Sequence, residues 1–231
     1  MGRIQRETVA EKSVAILRER ILSGELSPGT PVTEDAVAED LGASRATIRQ
    51  ALNTLLMDGL LTRHPATRVL QVTTLSPEDV RDIYRARRFL ELGGVEAAAH
   101  ASAEQLARIT DAVRDLEKTV HDHDVTGFVQ ADIRCHVEVV ELLGSRHLTS
   151  AHRHLMEKLR LVITATEQQE AQVRENLKER LAVHKEFAEQ LVSGAVAQAR
   201  ANLAARLDDA EEVVAAEAAA VTARPAGHRA G

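Results

Sequence analysis

The sequence predicts a mostly α-helical protein in two parts: a small N-terminal unit of helices closed by a short β-hairpin, and a larger all-α antiparallel helical bundle. Three observations carry this. Apolar residues recur at helical spacing through most of the 231 residues, and the one short β-like run is Leu70 to Thr74. Aromatic residues are 2% of the chain, with no Trp, one Tyr and three Phe. The core must therefore come from Leu, Val, Ile and Ala, which suits closely packed helices and offers no stacking platform for single-stranded nucleic acid. Finally, Leu75-Ser76-Pro77 punctuates the chain, with Ser76 placed to cap a helix and Pro77 in its first turn, so a domain boundary is expected near residue 74.

The first helix is expected over residues 7–23, with Ala10, Val14, Leu17 and Ile21 on one stripe and Gly24 after the last turn. Ser27-Pro28-Gly29 reads as a turn. The organising stretch follows, TEDAVAEDLGASRATIRQALNTLLMDGL over residues 33–60. Glu34 to Leu41 is a short helix, Gly42-Ala43 ends it, and Ser44 can cap a second helix running from about Arg45 to Asp58 and stopped by Gly59. A turn this tight between two helices is a helix-turn-helix. Ile48, Leu52 and Leu55 face the core, while Ala46, Arg49, Gln50 and Asn53 form the opposite face, flanked by Arg45 and Thr47.

Asp58 is the only acid between Ala43 and Val72, against Arg45, Arg49, Arg63 and Arg68, a local balance that suits phosphates and base edges in a major groove. The plain alternative is an ordinary pair of helices with a basic face. After Gly59, LLTRHPATRVLQVTT should form a two-stranded hairpin, a wing, with Pro65-Ala66-Thr67-Arg68 at its tip.

From Glu78 to about Ala218 the pattern is helical, with breaks expected near Gly93-Gly94, His100 to Ala103, His121 to Thr126, Gly144-Ser145, Glu170 and Ser193-Gly194. This makes six or seven helices over residues 75–220, an antiparallel bundle by loop length, followed by a tail at 221–231 with nothing to bury and expected to be disordered. Three helices put polar groups on apolar stripes. Asp132 and His136 lie on the line Val129, Asp132, His136, Val140, Leu143; His184 lies on Leu177, Leu181, His184, Ala188, Leu191; Arg206 lies on Ala199, Leu203, Arg206, Ala210, Val213. Burying these groups costs several kcal/mol unless they satisfy one another or a ligand. One Asp and two His would make a three-ligand site for Zn, Ni or Fe. The competing arrangement is a closed cluster in which Asp132 pairs with Arg206 and the histidines bond to backbone. Arg87 shares a stripe with Ile83, Leu90 and Gly94, so it either projects into the same space or forms a surface ion pair with Glu91. His121, His123, His147, His152 and His154 are expected in solvent.

The run ILSGELSPGTPVTEDAVAEDLGASRATIRQALNTLLMDGLL resembles the winged helix-turn-helix of GntR-family bacterial transcription regulators, including its SGELSPG turn, LGASR turn and closing DGLL. The resemblance implies contact with a double-stranded DNA operator through Thr33, Ser44, Arg45, Thr47, Arg49, Gln50, Asn53 and the wing residue Arg68. Related regulators usually carry a glycine at the wing tip, and this chain has none. DIRCHVEVVELLGSRHL and VHKEFAEQLVSGAVAQARANLAARL are similar to the two signatures of the FCD ligand-binding domain that follows the winged helix in the FadR subfamily. YRARRFLELGGVEAAAH is similar to its first helix, with Arg87 and Glu91 four apart.

In that family the last signature supplies two histidines 22 residues apart; His184 matches the first, and the second is Arg206. A divalent metal at Asp132, His136 and His184 would then lie near a fixed cation, a repulsion on the order of 8 kcal/mol at about 4 Å and an effective dielectric near 20. Alternatively Arg206 replaces the metal's charge and holds an anionic effector, a small carboxylate or related metabolite, together with Arg87, Asp132, His136 and His184.

The net charge of −6 argues against general nucleic-acid affinity, so the local basic balance has to carry a DNA reading. Cys135 is the only cysteine, which rules out an intrachain disulfide and a four-thiolate zinc site. The N-terminus has no signal-peptide core and no window approaches a membrane span, so a cytoplasmic protein without a membrane partner is expected. The function read from these residues is a homodimeric, ligand-responsive regulator on a two-fold operator, a repressor by resemblance, and not an enzyme. Two rivals stand beside it: a metal-dependent enzyme using Asp132, His136 and His184, and a ligand-independent DNA-binding protein.

Overall fold

The computed structural model describes residues 8–166 and 170–223. Packing divides the chain between Thr74 and Leu75, with Leu75–Ala220 forming the larger of two compact units.

The smaller unit begins with α1, Val9–Leu22, whose N-terminus is closed by a capping box: the Thr8 hydroxyl accepts from Glu11 N while the Glu11 carboxylate accepts from Thr8 N. Helices α2 (Glu34–Leu41) and α3 (Arg45–Met57) follow, joined through Gly42 at φ +61 and capped by the Ser44 hydroxyl, which accepts from Thr47 N. Leu17 and Ile21 of α1 are buried, as are Ile48, Leu52 and Leu55 of α3, so the two apolar stripes expected from spacing make the core between them. Strands β1 (Leu61–Arg63) and β2 (Leu70–Val72) pair antiparallel with Leu61 opposite Val72 and Arg63 opposite Leu70.

A third segment, which spacing along the chain does not predict, pairs with this hairpin. The run after the Gly29 turn lies along β2, with Val32 N donating to Leu70 O at 2.7 Å and Gly29 N to Val72 O at 2.9 Å. The wing tip also forms without glycine. Arg68 itself takes the left-handed conformation at φ +62, at a cost of roughly 1–2 kcal/mol for a side-chain-bearing residue. His64 offsets part of that cost, because its Nδ1 accepts from both Ala66 N and Thr67 N at 3.2 Å and ties the tip together.

Among the described residues the larger unit holds α4 (Pro77–Ala97), a 3-10 turn at Ala98–His100, α5 (Ala103–Asp122), α6 (Val125–Glu141), α7 (Arg146–Thr166), α8 (Glu170–Val192) and α9 (Val196–Ala223). Ser76 starts α4 with a capping box to Asp79 and Pro77 in the first turn, and His123 at φ +56 separates α5 from α6. The core runs through Tyr84, Ile109, Leu116, Phe128, Met156, Leu203 and Ala218.

Two expectations need correction. Gly93-Gly94 does not break the helix: α4 continues to Ala97, and Gly94 is where α4 meets α6 so closely that a Cβ would fall 2.2 Å from the Val139 carbonyl oxygen. The glycine is there for close approach, not for a turn. The tail reading at 221–231 also starts too early, since Val221, Thr222 and Ala223 complete α9. The alanine-rich run before them has high helix propensity and carries the helix on; residues 224–231 lie outside the described residues, as do 167–169 at the break expected near Glu170.

The two neighbouring glycines provide an internal comparison. Gly94→Ala should destabilise the protein by at least about 2 kcal/mol, because the obstructing atom is backbone and cannot swing away. Gly93→Ala, whose Cβ would meet only Leu143 Cδ2 at 3.5 Å, should stabilise it by roughly 0.5–1 kcal/mol. Urea denaturation of both variants measures the difference, and equal effects would refute the close-approach explanation.

Candidate functional site

Two regions gather functional side chains, one in each unit. In the smaller, the outward face of α3 is exposed as expected: Arg45, Ala46, Arg49, Gln50 and Asn53 all reach solvent. Thr33 and Ser44 serve locally as the caps of α2 and α3, and the Ser44 and Thr47 hydroxyls lie 2.8 Å apart. The basic balance of this face is not what a count along α3 suggests. Arg49 donates through Nε and Nη2 to the two carboxylate oxygens of Glu34 at 2.9 and 2.8 Å, and Arg45 Nε is 3.0 Å from Asp35 Oδ1. Both acids belong to the first turn of α2, so the preceding helix offsets the charge that α3 displays. Asp58 is also spoken for, by an ion pair with Arg18 of α1. Arg63 and Arg68 on the wing form no ion pair among the described residues, and Arg63 contributes to a cleft of about 410 Å³ with Thr33, Glu34, Arg49, Asn53 and Val69.

The second region is a buried polar cluster in the helical unit. The stripes carrying Asp132, His136 and His184 all turn inward, and one ligand atom from each lies within 4.8 Å of the others. Arg206 sits at the edge of the α9 stripe, half-buried, because the buried line on that helix is Ala199, Leu203, Leu207, Val214 and Ala218; Val213, expected on the inward stripe, is exposed. The Arg206 guanidinium reaches His184, with Nη2 3.4 Å from both ring nitrogens, rather than pairing with Asp132. Equal distances to the two nitrogens place it against the imidazole and not on one lone pair.

What organises the cluster is a residue the sequence reading did not assign to it. Glu91 is fully buried at 0% exposure and accepts three hydrogen bonds: from Arg87 Nε (2.8 Å), His136 Nδ1 (2.7 Å) and His152 Nε2 (2.8 Å). Burial by itself would raise its pKa, but Arg87, then His136 and His152, hold the carboxyl well below the usual range. Arg87 is therefore buried and paired with Glu91, so the two readings of that pair merge into one, and its guanidinium lies 4.7 Å from the Tyr84 ring centroid. His152 corrects the expectation of a solvated histidine. It is fully buried on α7, and its Nδ1 has no hydrogen-bond partner among the described residues. His121, His123, His147 and His154 are exposed. Helical spacing on α7, with Met156 and Leu159 following on the buried side, could have placed His152 inward.

The orienting bonds decide which nitrogens are available. An ionised Glu91 can only accept, so His136 carries its proton on Nδ1; His184 likewise donates Nδ1–H to the Arg180 carbonyl at 2.7 Å. Both Nε2 atoms then face Asp132, at 3.9 Å for His136 and 3.1 Å for His184. Burial raises the Asp132 pKa, but His184, Arg180 and His136 outweigh it and keep the carboxylate ionised, while burial pushes the His136 imidazole down. The two imidazoles and the carboxylate converge on one space, and this donor set, with one imidazole backed by a second carboxylate, has the composition of a divalent-metal site. Arg180, not singled out beforehand, lies 3.7 Å from Asp132 and over the Phe128 ring. Three guanidiniums, Arg87, Arg180 and Arg206, thus surround the two carboxylates Glu91 and Asp132.

One chain thus joins a helix-turn-helix with a hairpin to a helical unit built around a histidine-rich polar cluster. Residues 82–209 match the FCD domain and residues 9–69 match the family described as bacterial regulatory proteins, gntR family. The chain belongs to the GntR family and carries an FCD domain. A transcriptional regulator GntR from Rhodococcus sp. RHA1 has a similar structure, with a TM-score of 0.78, 25% identity and coverage of 89% of this chain and 96% of that one. In sequence, the uncharacterized HTH-type transcriptional regulator YdhC of Bacillus subtilis (strain 168) is 30% identical over 60% of this chain and 62% of its own length. The gluconate operon transcriptional repressor of Bacillus licheniformis is 25% identical over 63% of this chain and 59% of its own. The chain thus spans about three fifths of the length of these two relatives. No helix among the described residues is long and apolar enough to cross a membrane.

Removing the charge of Glu91 should be among the costliest single changes in the helical unit. Glu91→Gln leaves Arg87 buried without a counter-charge, and stability at neutral pH should fall by about 3–5 kcal/mol. Glu91 titrates lower in the folded chain than its unfolded value of about 4.3, so its contribution is complete above roughly pH 5 and is lost as pH falls through the folded value. Denaturation of wild type and Glu91→Gln at pH 7 and in acid should show the gap narrowing. A gap that widens in acid would contradict the assignment.

Proposed function

We propose that this protein is a ligand-responsive transcription repressor of the FadR subfamily, which binds a two-fold DNA operator as a dimer through α3 and the wing. The observation that carries the reading is the exposed Arg45, Arg49, Gln50 and Asn53 face of a helix seated between a hairpin wing and a supporting helix, on a chain that continues into an FCD domain. One recognition helix covers a half-site, and a second must stand about 34 Å away, which is why a dimer is required. The repressor mode is supported by the name of the gluconate operon relative.

The effector bound by the helical unit is an anion, a small carboxylate or related metabolite. The excess of guanidiniums over carboxylates supports this. Asp132, His136 and His184 would hold a divalent Zn or Ni ion, which when bound supplies a Lewis acid for an effector oxygen. Arg87, Arg180 and Arg206 supply the fixed positive charge around it, and Glu91 holds His136 with its Nε2 available.

Arg45→Ala or Arg49→Ala should each weaken binding to the duplex that wild type selects from a random library by roughly 1–3 kcal/mol with no change in thermal stability. Wild-type affinity and salt dependence in both variants would remove α3 from the interface.

The helical unit has its own test at Arg206. Arg206→His creates a four-ligand Asp-His-His-His set and should raise Zn or Ni affinity sharply in calorimetric titration if the guanidinium stands in for a ligand. Tight stoichiometric metal in wild type, unchanged by the substitution, would identify a three-ligand open site instead.

A further inference from the structure

The two arginines of the recognition helix are held differently. Arg45 meets Asp35 through one contact, Nε to Oδ1, with both side chains largely exposed. Arg49 meets Glu34 through two parallel hydrogen bonds, and the Glu34 side chain is only 34% exposed. The carboxylate accepts from Arg49 beneath the first turn of α2, where helix N-terminal N–H groups favour a negative charge. The hydrogen bond from Arg49 lowers the Glu34 pKa, so the carboxylate stays charged.

We propose that Glu34 is a specificity-determining residue: by fixing the inner edge of the Arg49 guanidinium, it commits the outer edge to reading one guanine in each operator half-site. This rests on the DNA-binding reading above. A guanidinium has five N–H groups, and the two spent on Glu34 lie along its Nε–Nη2 edge. The remaining end-on edge, formed by Nη1 and the second hydrogen of Nη2, presents two parallel donors. Guanine alone among the major-groove faces offers two adjacent acceptors, O6 and N7; adenine pairs N7 with a donor, cytosine presents a donor, and thymine has one acceptor beside a methyl. A locked Arg49 therefore accepts guanine and meets a mismatch at every other base.

The same carboxylate suppresses the competing use of Arg49. An unpaired arginine on a flexible stem reaches any nearby phosphate, and phosphate contact carries no sequence information. With its charge offset and its inner edge occupied, Arg49 loses most of that indiscriminate attraction. Glu34 thus trades general affinity for discrimination. Arg45, held at a single point, keeps the freedom to seek phosphate.

The test uses the full chain and a library of random duplex DNA. Wild type should select a two-fold motif with one guanine per half-site whose replacement weakens binding roughly tenfold, and Arg49→Ala should lose preference at that same position. In Glu34→Ala the preference there should shrink to about twofold or less. Binding to unselected duplex should at the same time tighten, with a salt dependence steeper by about one counterion as the freed arginine reaches phosphate. Glu34→Gln, which keeps one acceptor oxygen, should retain part of the preference, and Asp35→Ala should leave it in place. If Glu34→Ala keeps the wild-type guanine preference, or loses affinity for all sequences in equal proportion, the inference is wrong while DNA reading stands. If wild type selects no motif, the DNA-binding reading itself falls.

Discussion

A carboxylate with no solvent exposure joins three helices of the larger unit. Glu91 on α4 accepts from Arg87 on its own helix, from His136 on α6 and from His152 on α7. Burying that charge is tolerable only because every bond it accepts comes from a group that is cationic or polarised toward it. Its effect on the site follows directly. With Nδ1 of His136 committed to Glu91, the opposite nitrogen must face Asp132, and the candidate ligand set is assembled from the side away from solvent. The close α4–α6 contact at Gly94, one turn further along α4, keeps the helices near enough for this bridge to form.

The smaller unit applies a related device at its surface. Acids of α2 hold the arginines of α3, so the recognition helix displays guanidiniums whose charge is offset in advance. In both units a carboxylate on one helix sets the orientation of a nitrogen base on another. The difference lies in solvent. Buried Glu91 is a structural necessity whose loss leaves a stranded cation, whereas the Glu34 pair, at the surface, contributes little to stability.

The polar cluster combines features that compete in simpler sites. Asp132, His136 and His184 form a donor set for a divalent cation, yet Arg87, Arg180 and Arg206 bring three cations near it. The anionic effector proposed above would ease that conflict, since the guanidiniums attract it and it could share the space with a metal.

Much of the architecture was legible along the chain. Helical periodicity located Ile48, Leu52 and Leu55 in the core and turned Asp132, His136 and His184 inward, because burial follows the 3.6-residue repeat and is a local property of each helix. Caps at Ser44 and Ser76 were readable for the same reason. Tertiary structure decided everything that depends on a partner from elsewhere in the chain. Gly94 looks like a break until Val139 is packed on it, and His152 looks solvated until Glu91 claims it. Arg68 supplies the positive φ that a glycine was expected to provide, helped by the tip turn that His64 ties together. The four arginines counted against one acid ignored Glu34 and Asp35, which lie before the counted window and reach α3 only once the two helices pack. Spacing within a helix sets which way a side chain points, but what it meets there is fixed only when the helices come together.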